Sequence, residues 1–103
     1  MIKNIFNKKP SFEFRESKKT ACIVCSHVLN HAPILFVSHD KEDSMWQFLC
    51  GKEEHDENDA KVISLEEVTV IDNSVNDLYE MPLGFCATRN KATEAWKPFK
   101  NED

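Results

Sequence analysis

The stretch Asp43-Ser44-Met45-Trp46-Gln47-Phe48-Leu49-Cys50-Gly51 places the tightest limit on what this chain can fold into. Trp46, Phe48 and Cys50 recur at period two, with Gln47 and Leu49 between them. That spacing sends the first three to one face of a β-strand and the other two to the opposite face. Polar Asp43 and Ser44 precede the run and Gly51 closes it. Two large aromatic rings on one face anchor a small core. The pattern predicts a central strand around which the other segments are arranged.

Those segments are short. Thr20-Ala21-Cys22-Ile23-Val24-Cys25-Ser26 is apolar and rich in β-branched residues, which suits a buried strand. His27 to His31 fits one helical turn, with Ser26 as its cap. Pro33 opens Ile34-Leu35-Phe36-Val37-Ser38, a second strand that pairs antiparallel with the Trp46 strand across residues 39–43. Lys52 to Lys61 is almost wholly polar and reads as a surface loop or a frayed helical turn. Ser64 and Glu67 have capping-box spacing, which predicts a helical turn from Leu65 leading into a strand at Val68–Ile71. Asn73 or Ser74 caps a further short helix through Tyr79. Gly84 to Arg89 reads as another strand, its Arg89 set to pair with Asp43 or Glu80. Trp96 and Phe99 form a clasp over the core. The sum is a small α+β domain: a mostly antiparallel sheet of four or five strands with short helices.

A chain of 103 residues holds one such core. The expected division is a basic N-terminal arm over residues 1–19 and a single domain over residues 20–100. The arm carries six Lys/Arg against two Asp/Glu, and the remainder seven against sixteen. Two states of the arm stand open: partly flexible, or docked through Phe12 and Phe14. The net charge of -5 disfavours a general nucleic-acid binder. No apolar run reaches the roughly 18 residues of a membrane span. Met1 to Phe6 is too short for the hydrophobic centre of a signal peptide, so the expected location is the cytoplasm. Cys22, Cys25, Cys50 and Cys86 are then expected as reduced thiols.

Few residues suggest chemistry. Cys22, Cys25, His27 and His31 form a conceivable zinc set, but zinc sites separate their ligand pairs by a longer stretch, so packed thiols and no metal are expected. Cys50 or Cys86 with His27, His39 or His55 as base is a conceivable nucleophile, but both cysteines lie in strand-like runs that favour packing. Two glycines cannot assemble a dinucleotide-binding loop. No cofactor is expected. Glu53, Glu54, Asp56, Glu57 and Asp59 form an acidic run without the glycine and ligand alternation of a calcium loop. With His39, Asp40 and Asp43 they are the candidate surface for a basic protein partner, against the plainer reading of a solvated face.

Asp43, Ser44, Trp46, Phe48 and Gly51 spell an Asp-Ser-x-Trp-x-Phe-x-x-Gly pattern. Pro82-Leu83-Gly84-Phe85-Cys86-Ala87-Thr88-Arg89 follows it, and Cys25-Ser26 with Pro33 to Val37 precedes it. Over roughly residues 21–89 the chain resembles a small bacterial family first catalogued as a domain of unknown function and later described as immunity proteins of polymorphic toxin systems. Met45 stands where that family tends to carry glycine, and His39-Asp40 where it often carries Arg-Glu. The resemblance implies a non-enzymatic module that binds a cognate toxin and occludes it. A structural or regulatory domain and a small metal- or thiol-dependent enzyme are the competing readings.

Overall fold

The computed structural model describes residues 11–52 and 57–102. Its strands are β1 (Ala21–Cys25), β2 (Phe36–His39), β3 (Trp46–Leu49), β4 (Ala60–Ser64), β5 (Phe85–Thr88) and β6 (Lys97–Lys100). They make one sheet in the order β4-β1-β3-β2-β5-β6. The helices are short: α1 (Ser26–Leu29), α2 (Leu65–Ile71), and 3-10 helices at Glu57–Asp59 and Asn73–Leu78. Among the described residues no helix is long and apolar enough to cross a membrane.

The α+β class holds, but the sheet has six strands, where the sequence suggests four or five, and one pair in it is parallel. After β1 the chain crosses through α1 to β2, then turns back as β3 into the gap between them. β3 therefore runs antiparallel to β2, with Val37 opposite Phe48, and parallel to β1, with Val24 opposite Phe48. β1 with β4, β2 with β5, and β5 with β6 are antiparallel.

Alternation along β3 has the expected result. Trp46, Phe48 and Cys50 are buried, while Gln47 and Leu49 are half-buried. The register puts Cys22, Val24, Val37 and Ala87 on the Trp46 face, and Leu65, Val68, Val75 and Leu78 from the helical segments join the same core. Residues 11–19 contain no strand. Phe14 enters this core, its ring edge-on to Trp46 at 5.0 Å between centroids.

The capping box forms in full. Ser64 Oγ accepts from the Glu67 amide, and Glu67 Oε1 accepts from the Ser64 amide, each at 3.1 Å. Once the first turn is nucleated, the β-branched run Val68–Ile71 continues as helix, not as the expected strand; the strand lies before it, at β4. Replacing Ser64 with alanine is expected to lower stability by about 1 kcal/mol. An unchanged denaturation midpoint would show that the box is dispensable.

Other caps differ from expectation. Cys25, not Ser26, occupies the N-cap of α1, and Ser26 Oγ donates to Asp59 Oδ1 at 2.9 Å. Asp72, not Asn73 or Ser74, caps the 3-10 helix by accepting from the Ser74 amide at 3.0 Å. Trp96 is buried, but Phe99 lies exposed on β6, so only half of the proposed C-terminal clasp covers the core.

Candidate functional site

The Asp43-to-Gly51 motif is first of all a folding device. Asp43 Oδ1 accepts from the Met45 amide at 3.0 Å, closing the turn that leads into β3. The left-handed backbone of that turn falls on Ser44, at φ 63°, and not on Met45. A side chain at residue 45 is therefore accommodated without backbone strain. Gly51 has φ 83°, and a Cβ there would stand 3.2 Å from Leu35 Cβ. The left-handed φ is what calls for glycine at that position, and the close approach of Leu35 adds to it.

His39, Asp40 and Asp43 serve this same turn. The His39 ring stacks on Trp46 with centroids 3.9 Å apart. Its Nδ1 lies 2.8 Å from the Met81 carbonyl, and since a carbonyl only accepts, Nδ1 carries a proton. Its Nε2 lies 3.7 Å from Glu16, whose carboxylate also accepts from Trp46 Nε1 at 2.7 Å. The Asp40 carboxylate accepts from Gln47 Nε2. Asp43 is exposed.

The remaining candidates sit at the other end of β3. The 3-10 helix Glu57–Asp59 runs into β4, whose Ala60 pairs with Cys25 at the end of β1. Asp59 is half-buried and bonded to Ser26. Glu53, Glu54 and Asp56 lie outside the described residues, as does His55. Among the described residues, Glu57 and Asp59 thus stand at the opposite end of β3 from His39, Asp40 and Asp43.

Between those ends lies the sheet face opposite the core. Ile23, Phe36, Gln47 and Leu49 are half-buried on it, and Val62 and Phe99 are exposed, Val62 to 68%. A shallow depression of about 320 Å³ is lined there by Phe36, Leu49, Gly51 and Lys52. A larger groove of about 570 Å³ runs between α1, Pro33-Ile34 and Ile71, with Leu29 and Ile71 exposed at its walls. Its lining is mainly apolar, and the carboxylate at its edge, Asp72, is already paired with Arg89.

Arg89 meets Asp72 in place of the Asp43 or Glu80 that its sequence setting suggests; Glu80 pairs with Arg15. It also donates to the carbonyls of Ile34 and Ala92 and to Ser74 Oγ, and it lies over the Trp96 ring at 3.9 Å. Every one of these partners holds the fold together.

All four cysteines are buried, and no disulfide joins any two of them. Burial, with Glu67 nearby, pushes the Cys22 thiol up to about 12. Burial also raises Cys50, opposed in part by the Lys52 backbone amide. A nucleophile needs the opposite shift. The four residues of the zinc set weighed from sequence are not what the fold gathers. Cys25, His27 and Cys50 come together instead, their ligand atoms within 4.8 Å of one another. Cys50 arrives from the neighbouring strand, which local spacing does not reveal.

The arrangement is a set of surfaces and a packed thiol cluster, without an activated nucleophile among the described residues. Neither a curated protein nor a solved structure matches the chain. The family model of the immunity protein Imm33 domain matches residues 22–100, from the second residue of β1 to the end of β6. That span includes every strand-forming motif described above, and the chain belongs to the Imm33 immunity-protein family.

Proposed function

We propose that this chain protects against a basic toxin by binding it and covering the surface the toxin needs. The family match over residues 22–100 carries this reading, and it assigns a protein-binding immunity role in place of a catalytic one. The sheet face opposite the core is the contact surface. It presents half-buried and exposed apolar side chains around a shallow depression, as a docking face with a few buried anchors requires. His39, Asp40 and Asp43 at one end, Glu57 and Asp59 toward the other, and the acidic run Glu53, Glu54 and Asp56 that precedes them in the chain supply a negative field that steers a cationic partner toward it. The net charge of -5 has the right sign for such steering.

The test is titration of the toxin encoded beside this gene, at two salt concentrations. Changing Glu53, Glu54 and Glu57 to Gln and Asp56 to Asn is expected to slow association about 10-fold at low salt and to flatten the salt dependence. Val62→Arg, on an exposed position that the core does not use, is expected to weaken binding by charge repulsion and by occupying the face. Unchanged affinity in both variants would reject this surface. A toxin that neither binds nor is inhibited would reject the immunity reading for that pair.

A further inference from the structure

Cys25, His27 and Cys50 converge where β1 and β3 end side by side. Cys25 Sγ accepts a hydrogen bond from the Cys50 amide at 3.4 Å, so the two strand ends are already in contact through the thiol. Both cysteines are buried, while His27, at the start of α1, reaches the half-exposed margin of the cluster. All three ligand atoms lie within 4.8 Å of one another.

We propose that these three residues form a binding site for a single thiophilic d10 cation. The donor set is two thiolates and one imidazole, a combination that selects zinc or monovalent copper over the hard cations. A cation holding sulfur at about 2.3 Å and nitrogen at about 2.0 Å places its ligand atoms close together, so rotamer adjustments within the cluster suffice to close on it. The register of β1 and β3 prearranges two of the ligands, and the half-exposed imidazole provides the way in. Two neighbouring thiolates alone are costly in a buried setting; zinc balances both of their charges and monovalent copper one of them. His27 and Cys50 each have further interactions in the fold, so binding exchanges partners and does not fill a vacancy. Loading releases the two thiol protons to solvent as the two metal–sulfur bonds form. Three protein donors satisfy monovalent copper directly and leave zinc a fourth position for water. The site rests on the geometry of the strand ends and stands or falls independently of toxin binding.

The experiment uses the full chain, stripped with chelator and kept reduced, and titrates Zn(II) alone in one arm and buffered Cu(I) alone, without oxygen, in the other. A competing chromophoric chelator reports stoichiometry and affinity, and alkylation reports which thiols are protected. The expected result is one equivalent bound in at least one arm, with Cys25 and Cys50 protected. His27→Gln is expected to weaken binding at least ~10-fold by removing a ligand. Cys50→Ser should abolish it, whereas Cys22→Ser and His31→Gln should leave it intact. His27→Gln alters a half-exposed side chain, so it remains informative if Cys50→Ser fails to fold. No saturable binding in either arm at micromolar metal would overturn the proposal. So would binding indifferent to His27→Gln, or binding lost with Cys22 or His31 instead.

Discussion

Trp46→Ala is expected to lower stability by about 3–5 kcal/mol, the range for truncating a fully packed aromatic side chain. Trp46 meets Phe14 edge-on at 5.0 Å, lies parallel to Phe48 at 6.0 Å and stacks on His39 at 3.9 Å. Removing the ring leaves a cavity bordered on several sides by side chains that cannot all move in. It also leaves the Glu16 carboxylate without the indole N–H that it accepts at 2.7 Å. The denaturant midpoint measures the loss. Trp46→Phe separates the two contributions, since it refills most of the volume and drops only the hydrogen bond; a loss of about 1–2 kcal/mol is expected for it. A midpoint for Trp46→Ala matching the parent protein would mean that this ring does not anchor the core.

Asp72→Ala should be nearly as damaging, at about 3–5 kcal/mol. The Arg89 side chain is 1% exposed and that of Asp72 is 21% exposed. Without Asp72 the guanidinium keeps its bonds to the carbonyls of Ile34 and Ala92, but its charge stays buried with no counter-ion. The same substitution removes the acceptor that starts the 3-10 helix at Asn73. Asp72→Asn preserves the acceptor oxygen and discards the charge, so it isolates the ion pair from the cap. Thermal or chemical denaturation of both variants is the measurement. If Asn restores full stability, the charge contributes nothing and the cap accounts for the whole effect.

Much of the sheet was legible because its central residues have to satisfy two faces at once. Trp46, Phe48 and Cys50 repeat at period two, and the hairpin predicted between this run and residues 34–38 is the one that forms, with Val37 opposite Phe48. The Ser64–Glu67 box was equally legible, since its partners are three residues apart. The edge strands were not. β6 is exposed along its whole length, and β4 is exposed over Ala60, Lys61 and Val62, so neither carries the alternation that a buried face imposes. The strand expected at Val68–Ile71 failed because a short apolar run has no period of its own, and the box ahead of it decided for helix. The candidate sites were harder still. Arg89 with Asp72, and Cys25 with Cys50, are set by which strands lie side by side, and a parallel neighbour leaves no turn signature in the sequence. The acidic residues could be read as a composition, but that Asp43 and Asp59 fall at opposite ends of β3 follows only from the sheet.

The parallel seam between β1 and β3 also governs how the chain can assemble. The hairpin of β2 and β3 closes across residues 40–45 alone, whereas β1 meets β3 across residues 26–45 and meets β4 across residues 26–59. β5 joins β2 only after residues 40–84 have been spanned. Closure entropy rises with the length of the enclosed segment, so the hairpin is the inexpensive step and the outer strands are the slow ones. A ribosome that has extruded the chain as far as Gly51 has delivered β1, β2 and β3 but neither of the strands that flank them nor the helices that cover Trp46 and Phe48. The nascent protein therefore has only Phe14 over its aromatic face until Leu65 to Leu78 emerge; β4 covers the β1 edge just before that, and β5 covers the β2 edge only afterwards, so an open strand edge outlasts the exposed core.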